Sequence, residues 1–265
     1  MPQAVFRFYA ELNDFLPAAR RQVAFAHAWH GPAAVKDLLE ALGVPHPEID
    51  IILINGHSVG FEHVLGDGDR VSVYPVFEAL DVTPLVRLRP RPLRETRLVL
   101  DVHLGRLAAY LRMLGFDALW QHAWEDVALA RCSHDDQRLL LTRDRGLLKR
   151  REVTRGYCVR AARPREQLLE VLARFDLGGQ ARPFTRCTLC NGLLAQIDRE
   201  AARGAVPAGV AEGYQEFTRC QACGRVYWPG SHYARMRRLA EEVLEASSRP
   251  PSAARLLPDE SGGTD

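Results

Sequence analysis

Two aspartates directly follow apolar runs that have the character of buried strands. Asp101 follows the run 97–100, RLVL, and Asp144 follows the run 138–143, RLLLTR. In open parallel sheets, ligands bind outside the carboxyl ends of the strands. Carboxylates gathered at such an edge repel one another unless a cation binds between them, and Mg²⁺ prefers carboxylate, water and phosphate oxygens. The pattern therefore indicates metal-dependent chemistry on a phosphate.

Each of these acids also has a structural interpretation. Asp101 and Asp144 each precede a helical stretch, where aspartate is a common N-cap. Asp126 lies in the first turn of another predicted helix, where the macrodipole favours a carboxylate. Because successive strand–helix turns place these acids on one edge of one sheet, we predict that together they form a catalytic acidic cluster. Asp117 is the weakest of the four candidates, and a structural role would also explain it.

The residues around Asp144 suit an anionic substrate. Thr142, Arg143 and Arg145 flank it in the sequence. The guanidinium fork matches phosphate oxygens and can stabilise charge that develops on phosphorus. We predict that these three residues bind substrate, and an ordinary surface position is the alternative for each arginine.

Four cysteines occur in two similar segments, FTRCTLCNG and FTRCQACGR, which supply Cys187, Cys190, Cys220 and Cys223. Two Cys-x-x-Cys knuckles can bind one zinc ion with tetrahedral geometry. The 29 residues from 191 to 219 exceed the usual spacing of about 15–20, so an inserted excursion is required. Two disulfides are disfavoured in a cytoplasmic chain. Four protein ligands leave no open position, so we predict a structural zinc rather than a catalytic one.

Alternating strands and helices must position the acids. The alternation over residues 97–175 predicts a parallel sheet with right-handed crossovers. Apolar runs and helical spacing of leucines predict strands at 97–100, 116–120, 139–142 and 156–160, and helices at 104–114, 125–131, 145–150 and 165–175.

The first 80 residues have a different pattern, in which two strands, a helix and further strands predict a β-grasp fold. The segments ILINGHSV and LGDGDRVSVYP resemble the ubiquitin-like sulfur carriers of thiamine and molybdopterin synthesis. Those carriers end in a free Gly-Gly carboxylate, whereas this chain continues through Pro75-Val76-Phe77-Glu78. The difference argues against sulfur transfer and favours a structural role, or the docking of a protein partner on this domain.

Charge is distributed unevenly along the 265 residues. Residues 1–80 carry 5 basic and 10 acidic side chains, and residues 87–165 carry 18 basic and 9 acidic ones. A basic segment that also holds the aspartates fits a polyanionic partner, although a solvated arginine-rich surface would look the same. We find no apolar run long enough to span a membrane and no signal peptide, so we expect a cytoplasmic protein.

Three long motifs together resemble one known family. They are LVLDVHLGRLAAYLRMLGFDALW, LLLTRDRGLLKR, and the paired knuckles followed by VYWPGSHYARM. They look like the Mut-seven C-terminal RNase family, which combines a PIN-like nuclease domain with a zinc ribbon and in bacteria is often fused to an N-terminal ubiquitin-like domain. The resemblance implies a ribonuclease that uses Mg²⁺ or Mn²⁺, with Asp101 as the first-strand acid, Asp144 in the Thr-Arg-Asp-Arg motif and Asp126 as the helix acid. The fourth acid of this family's site would be Asp117 or Glu125.

The predicted fold class is α/β, with an N-terminal β-grasp domain followed by a PIN-like parallel-sheet domain and a C-terminal zinc ribbon. The predicted function is metal-dependent hydrolysis of RNA phosphodiester bonds. A non-catalytic RNA-binding or ribosome-associated adaptor, which would use the zinc ribbon and basic surface, is the alternative. The predicted divisions are 1–80 for the β-grasp domain, 81–96 for a linker, 97–178 for the nuclease domain, 179–240 for the ribbon and 241–265 for a helix end and disordered tail.

Overall fold

The computed structural model describes residues 1–75 and 96–247. Most of the predicted linker and almost all of the predicted tail therefore lie outside the described residues. Within the described part, no helix has the length and apolar character needed to cross a bilayer.

Residues 1–75 form a mixed five-stranded sheet in the order β2-β1-β5-β3-β4, in which the central pair β1 and β5 is parallel. Helix α1 (Val35–Ala41) packs its apolar side against this sheet. This is the predicted β-grasp arrangement. Its strands are β1 (Gln3–Phe8), β2 (Phe25–Ala28), β3 (Ile49–Ile54), β4 (His57–Val59) and β5 (Arg70–Pro75).

The following residues form a four-stranded sheet in the order β7-β6-β8-β9, and every pair in it is parallel. The central strands are continuous apolar runs because both faces of the sheet are covered. Helix α3 extends to Asp135, four residues beyond the predicted end. The strands are β6 (Arg97–Leu100), β7 (Asp117–Leu119), β8 (Leu139–Thr142) and β9 (Gly156–Cys158), and the helices are α2 (Gly105–Met113), α3 (Asp126–Asp135), α4 (Arg145–Leu148) and α5 (Pro164–Arg174).

The two faces of the parallel sheet belong to different cores. Leu98 and Leu141 point into a core shared with α2 and α5. Val99 and Leu140 point the other way, into a core that continues through α3 and α4 into the β-grasp domain. The two domains therefore share one apolar core, and one face of the parallel sheet is covered partly by the N-terminal domain.

Polar contacts also join the two domains, at the edge strand β9. Glu48 is completely buried, and its Oε1 accepts the amide of Cys158 at 2.5 Å. The guanidinium of Arg160 lies 3.6 Å from Glu48 and 3.0 Å from Asp14. Lys149 Nζ donates to the carbonyl of Glu40 at 2.6 Å. Because an edge strand exposes unpaired backbone groups, the β-grasp domain protects this edge as well as the sheet face.

The cysteine-containing segment forms a three-stranded antiparallel sheet in the order β10-β11-β12. The predicted excursion between the two knuckles contains β10 and two short helices. The last helix, α8, returns to the parallel-sheet domain, where Ala240 and Val243 are buried against the α2–α5 core. These elements are β10 (Leu194–Ile197), α6 (Arg199–Ala202), α7 (Ala208–Gly213), β11 (Phe217–Cys220), β12 (Val226–Tyr227) and α8 (Ser231–Ser247).

Candidate active site

Asp101 and Asp144 are connected through the side chain of Thr142 at the carboxyl edge of the parallel sheet. Thr142 Oγ1 donates to Asp101 Oδ2 at 2.6 Å and accepts the backbone amide of Asp144 at 2.9 Å. The Asp101 residue is 5% exposed and Thr142 is fully buried. The threonine therefore fixes one carboxylate and orients the backbone that carries the other.

The two aspartates differ in their local roles. Asp144 is the N-cap of α4, because its Oδ1 accepts the amide of Gly146 at 2.7 Å. The structural interpretation of Asp144 is thus correct, yet the residue remains exposed and has a second carboxylate oxygen. Asp101 makes no side-chain cap, so the capping interpretation does not explain it. Within residues 1–75 and 96–247, no basic nitrogen lies within 4.0 Å of the buried Asp101 carboxylate.

Asp126 is an exposed residue at the first position of α3. It does not belong to a preformed three-acid cluster with Asp101 and Asp144. In the described part of the chain, the only group of three or more Cys, His, Asp or Glu side chains whose ligand atoms all lie within 4.8 Å of one another is the set of four cysteines. The structure thus links two of the predicted acids through Thr142 and leaves the third separate.

Asp117 lies at the opposite end of the sheet. It begins β7 and pairs in register with Arg97, the first residue of β6, whereas Asp101 follows the last residue of β6. Its carboxylate accepts from Arg138 Nη1 at 2.8 Å and from Asn191 Nδ2 at 2.7 Å. The prediction that Asp117 joins the catalytic cluster therefore requires correction, because the parallel register places it at the amino edge.

The surroundings of Asp117 favour its charged form. Burial raises the pKa of this carboxyl, but hydrogen bonds from Arg138 and Asn191, together with the charges of Arg138 and Arg186, outweigh burial and lower its pKa below the ordinary value. Asp117 is thus an ionised carboxylate that connects the sheet with the first cysteine knuckle.

Two of the predicted substrate-binding residues are committed to other contacts. Arg145 donates to the backbone carbonyls of Phe15 and Asp14 at 3.3 and 3.2 Å, and its guanidinium lies 4.9 Å from the centre of the Phe15 ring. The Thr142 hydroxyl is enclosed between the two aspartates. Both predictions therefore need correction: Arg145 binds the β-grasp domain, and Thr142 positions the acids.

Arg143 differs from its neighbours because it faces a cavity. The cavity has a volume of about 480 Å³ and lies beside the Asp101 turn. Arg143 is exposed and forms no ion pair in the part of the chain that the structure describes. The residues lining the cavity are His103, Gly105, Arg106, Trp120, Arg143, Ala162, Pro164 and Gln167.

The four predicted zinc ligands converge. Their sulfur atoms all lie within 4.8 Å of one another. The Sγ atoms of Cys187 and Cys223 are 3.7 Å apart, and those of Cys190 and Cys220 are 3.4 Å apart. Tetrahedral zinc with Zn–S bonds of about 2.3 Å requires sulfur–sulfur separations of about 3.8 Å. The donor type, number and spacing therefore fit one zinc ion.

The backbone of the two knuckles repeats the same turn. Asn191 and Gly224, each directly after the second cysteine of its knuckle, adopt φ values of +72° and +73°. In both knuckles the amide of this residue donates to the carbonyl of the first cysteine at 3.0 Å. Asparagine and glycine are the residues that most readily adopt this left-handed conformation, which explains why they follow the cysteine pairs.

The environment of Cys187 favours a thiolate. Burial raises the pKa of its thiol, but a contact of 3.0 Å with the Tyr227 hydroxyl and hydrogen bonds from backbone amides outweigh burial and lower its pKa to about 6. Since the thiolate is the metal-binding form of cysteine, these contacts assist metal binding.

Arg112 and Asn191 attach the first knuckle to the parallel-sheet domain. Arg112 is 3% exposed and donates to the carbonyls of Ala118 and Leu189, both at 2.7 Å. Asn191 Oδ1 accepts the amide of Ala118 at 3.0 Å. The outward backbone groups of the edge strand β7 are therefore satisfied by these two side chains. Sequence reasoning missed both residues, although an arginine such as Arg112 that follows leucines at helical spacing signals a specific partner for it.

Comparisons with known protein families match both parts of the chain. A family model described as the Mut7-C RNAse domain matches residues 96–240. A second, described as Mut7-C ubiquitin, matches residues 1–81. The two matches agree with the division between the β-grasp sheet and the parallel sheet.

Two crystal structures of small archaeal modifier protein 1 from Haloferax volcanii align with part of the chain. Each is 21% identical to it, and they cover 28% and 29% of this chain and 98% of their own chains, with a TM-score of 0.24. This similarity is too low to support any conclusion about this protein. A comparison with curated proteins gives no match.

Proposed function

This chain belongs to the Mut7-C RNAse domain family, and from that premise we propose that it is a metal-dependent ribonuclease whose centre includes Asp101 and Asp144. The observation that carries the proposal is the Thr142 hydroxyl that joins these two residues. It holds the buried Asp101 carboxylate and the backbone that carries the exposed Asp144 carboxylate, at the edge where parallel sheets bind ligands.

The donor set fits a hard divalent cation. Asp101 is a buried carboxylate, and its only direct side-chain partner within the described residues is a neutral hydroxyl. Burying a carboxylate without a positive partner is costly, so a cation beside it would be stabilising. Mg²⁺ is commonly bound by one or two carboxylates, with water and substrate phosphate as its other ligands, and Mn²⁺ also suits oxygen ligands. Two aspartates are therefore sufficient, and Asp126 is proposed as an outer acid of the same site.

Each side chain of the proposed centre has a different role in hydrolysis. A divalent cation would supply an activated water and stabilise charge on the phosphate. Thr142 prevents the Asp101 carboxylate from rotating, so little reorganisation is needed during the reaction. Asp144 presents a carboxylate to the solvent side, where an RNA strand can approach. Arg143 adds a positive charge that attracts the phosphate backbone. Each cleavage consumes one water and converts a diester into a monoester and a hydroxyl.

The direct test is cleavage of a labelled single-stranded RNA in the presence of Mn²⁺ or Mg²⁺. Asp101→Asn and Asp144→Asn are expected to reduce kcat by about 100-fold or more, as when a preorganised electrostatic group is removed. Asp135→Asn is the matched control, because Asp135 is an exposed aspartate at the far end of α3. Equal activity in all three variants would refute the proposed centre.

The second candidate function is a non-catalytic RNA-binding adaptor. A groove of about 1200 Å³ on the ribbon supports it, with Arg225, Trp228 and Tyr233 among its lining residues. Aromatic and arginine side chains of this kind can stack on bases. An adaptor would bind RNA with strong salt dependence but leave it intact when Mn²⁺ is added.

A further inference from the structure

The cavity beside Asp101 has the charge of an anion-binding site. His103, Arg106 and Arg143 can all carry positive charge, and no acidic residue lines the cavity. Within the described residues, neither Arg106 nor Arg143 forms an ion pair with a carboxylate. By contrast, Arg138 of the same domain is paired with Asp117 at 2.8 Å. The two arginines that line the cavity thus form no ion pair within the described residues, and their charges are available to bind an anionic ligand.

Two helices begin at the same cavity. Gly105 is the first residue of α2 and Pro164 is the first residue of α5, and both residues line the cavity. The amino ends of helices carry partial positive charge and favour anions. Their contribution adds to that of the arginines, so side chains and backbone both favour a phosphate group here.

One wall of the cavity is an indole ring held in a fixed position. Trp120 Nε1 donates to the carbonyl of Val102 at 3.1 Å. The six-membered part of the ring lies so close to Gly105 that a Cβ at this position would be 2.7 Å from Trp120 Cζ2. Glycine therefore permits the indole to pack against the start of α2. A preordered aromatic surface beside a phosphate site suits a base or a ribose, because stacking on tryptophan does not require a particular base.

The opposite wall is also fixed. Gln167 is 5% exposed, and its Nε2 donates to the carbonyl of Ala161 at 3.1 Å. This bond holds the loop that precedes α5 and forms the rim of the cavity. The pocket is therefore largely preformed, as small-ligand sites usually are.

From these observations we propose that the cavity binds one nucleotide unit of a single-stranded RNA, with its phosphate between Arg106 and Arg143 and its base or sugar against Trp120. The inference rests on the proposed ribonuclease function, because that function identifies the ligand as RNA. It assigns to this cavity the nucleotide next to the cleaved phosphate. A volume of about 480 Å³ suits one small ligand rather than a base pair. A duplex would have to unstack a base to occupy the cavity, which costs energy that a single strand does not lose.

The test measures binding separately from cleavage. The test uses full-length protein that carries Asp144→Asn, because asparagine is also a good N-cap residue. This protein is titrated into a fluorescein-labelled single-stranded oligoribonucleotide without added divalent cations. Fluorescence anisotropy is recorded at several salt concentrations. Arg106→Gln and Arg143→Gln are compared in this background with Arg151→Gln, whose side chain is 92% exposed and lies outside the cavity.

Each cavity variant is expected to weaken binding about three- to tenfold and to lower the slope of log affinity against log salt by about 0.7, the value for one phosphate contact on a single strand. Arg151→Gln should leave both quantities unchanged. If Arg106→Gln and Arg143→Gln bind as the control does, the cavity is not a nucleotide site. Equal affinity for a blunt RNA duplex would overturn the assignment to single strands, and equal affinity for a free 5′-mononucleotide would overturn the assignment to a chain.

The same samples distinguish this inference from the proposed function. Loss of binding in both cavity variants, combined with no cleavage by wild-type protein in Mn²⁺, would refute the ribonuclease and retain the cavity as a nucleic-acid site. Cleavage by wild-type protein, combined with unchanged KM in both cavity variants, would retain the ribonuclease and refute the cavity.

Discussion

Asn191 donates from Nδ2 to Oδ1 of Asp117 at 2.7 Å, which joins the first cysteine knuckle to the amino edge of the parallel sheet. The same carboxylate accepts from Arg138, a residue that is 7% exposed, at 2.8 Å. The ionised Asp117 is therefore one of the groups that connect the ribbon to the parallel-sheet domain. Loss of metal from the ribbon should consequently affect the sheet, and damage at Asp117 should affect stability rather than chemistry.

We predict that Asp117→Asn destabilises the protein without removing its activity. The substitution removes the shorter of the two carboxylate contacts of the nearly buried Arg138 guanidinium, 2.8 Å to Asp117, and leaves only the contact of 3.5 Å with Asp136. Losing a partner of a buried charged donor in this way costs about 1–3 kcal/mol. Urea unfolding should show a lower midpoint, while kcat on RNA should change little. A variant with wild-type stability and no activity would return Asp117 to the list of catalytic candidates.

The pH dependence of stability should depend on Asp117. Because its pKa is lowered from the ordinary 3.8, its contribution to stability is fully present above that value and is lost as the pH falls through the lowered pKa. The difference in unfolding free energy between wild type and Asp117→Asn should therefore be constant near neutral pH and shrink below 3.8. Urea titrations at a series of pH values measure this difference, and a difference that grows on acidification would contradict the ion pair.

We predict that Thr142→Val lowers activity because it removes the hydroxyl between the two aspartates. Valine keeps the size of the side chain but leaves the Asp101 carboxylate and the Asp144 amide without a partner, at a cost of about 1–3 kcal/mol. A similar loss of transition-state stabilisation would reduce kcat about tenfold or more. Thr142→Ser retains the hydroxyl and should recover most of the activity in the same RNA cleavage assay. Wild-type kcat in Thr142→Val would show that this link has no role in catalysis.

Zinc content and the consequences of its removal test the ribbon. Elemental analysis should find about one zinc per chain, since four thiolates form a complete tetrahedral site. Cys220→Ser should lower both the zinc content and the melting temperature. Cys132→Ser is the matched control, because Cys132 is a half-buried cysteine outside the cluster. Full zinc content in Cys220→Ser would contradict the four-cysteine site.

The contact between the domains should make them unfold together. Arg160→Gln removes the positive charge that lies 3.6 Å from the buried Glu48. We expect a loss of about 1–3 kcal/mol, because contacts between charged groups at buried sites contribute about that much to stability. Calorimetry should then resolve a separate transition for the β-grasp domain. Arg163→Gln, at a side chain that is 83% exposed, is the control and should keep a single transition. Identical traces for the two variants would show that the ion pair does not couple the domains.

The strand–helix alternation was sufficient to predict the elements of both sheets. Strand β6 at 97–100 and strand β8 at 139–142 were predicted with the bounds that the structure has. These strands can be predicted from local sequence because they are continuous apolar runs that end at turn residues. The zinc ligands could also be predicted from local sequence, because each knuckle is a short motif. The two similar knuckles together supply the four ligands of one ion.

Of the residues around the cavity, only Arg143 was predicted to bind substrate. Arg106, Trp120 and Gln167 belong to three different elements and carry no motif of their own. Their one shared signal is that each lies shortly after a predicted strand or at the start of a helix, on the edge where ligands bind. Only the packing of α2 against α5 brings them to the same cavity.

Sequence alone determined which residue types stand at the ends of strands, and it therefore predicted an acidic edge and a metal ribbon. It did not determine which charges face a partner in the folded chain. Asp117 was included among the predicted acids as the weakest candidate, and the parallel register places it at the other edge beside Arg138. Arginine in the basic segment also looked uniform, yet docking of the β-grasp domain occupies Arg145 and leaves Arg143 at the cavity. These contacts join residues that are 21 positions apart for Arg138 and Asp117 and 130 positions apart for Arg145 and Phe15. Only the tertiary structure fixes them.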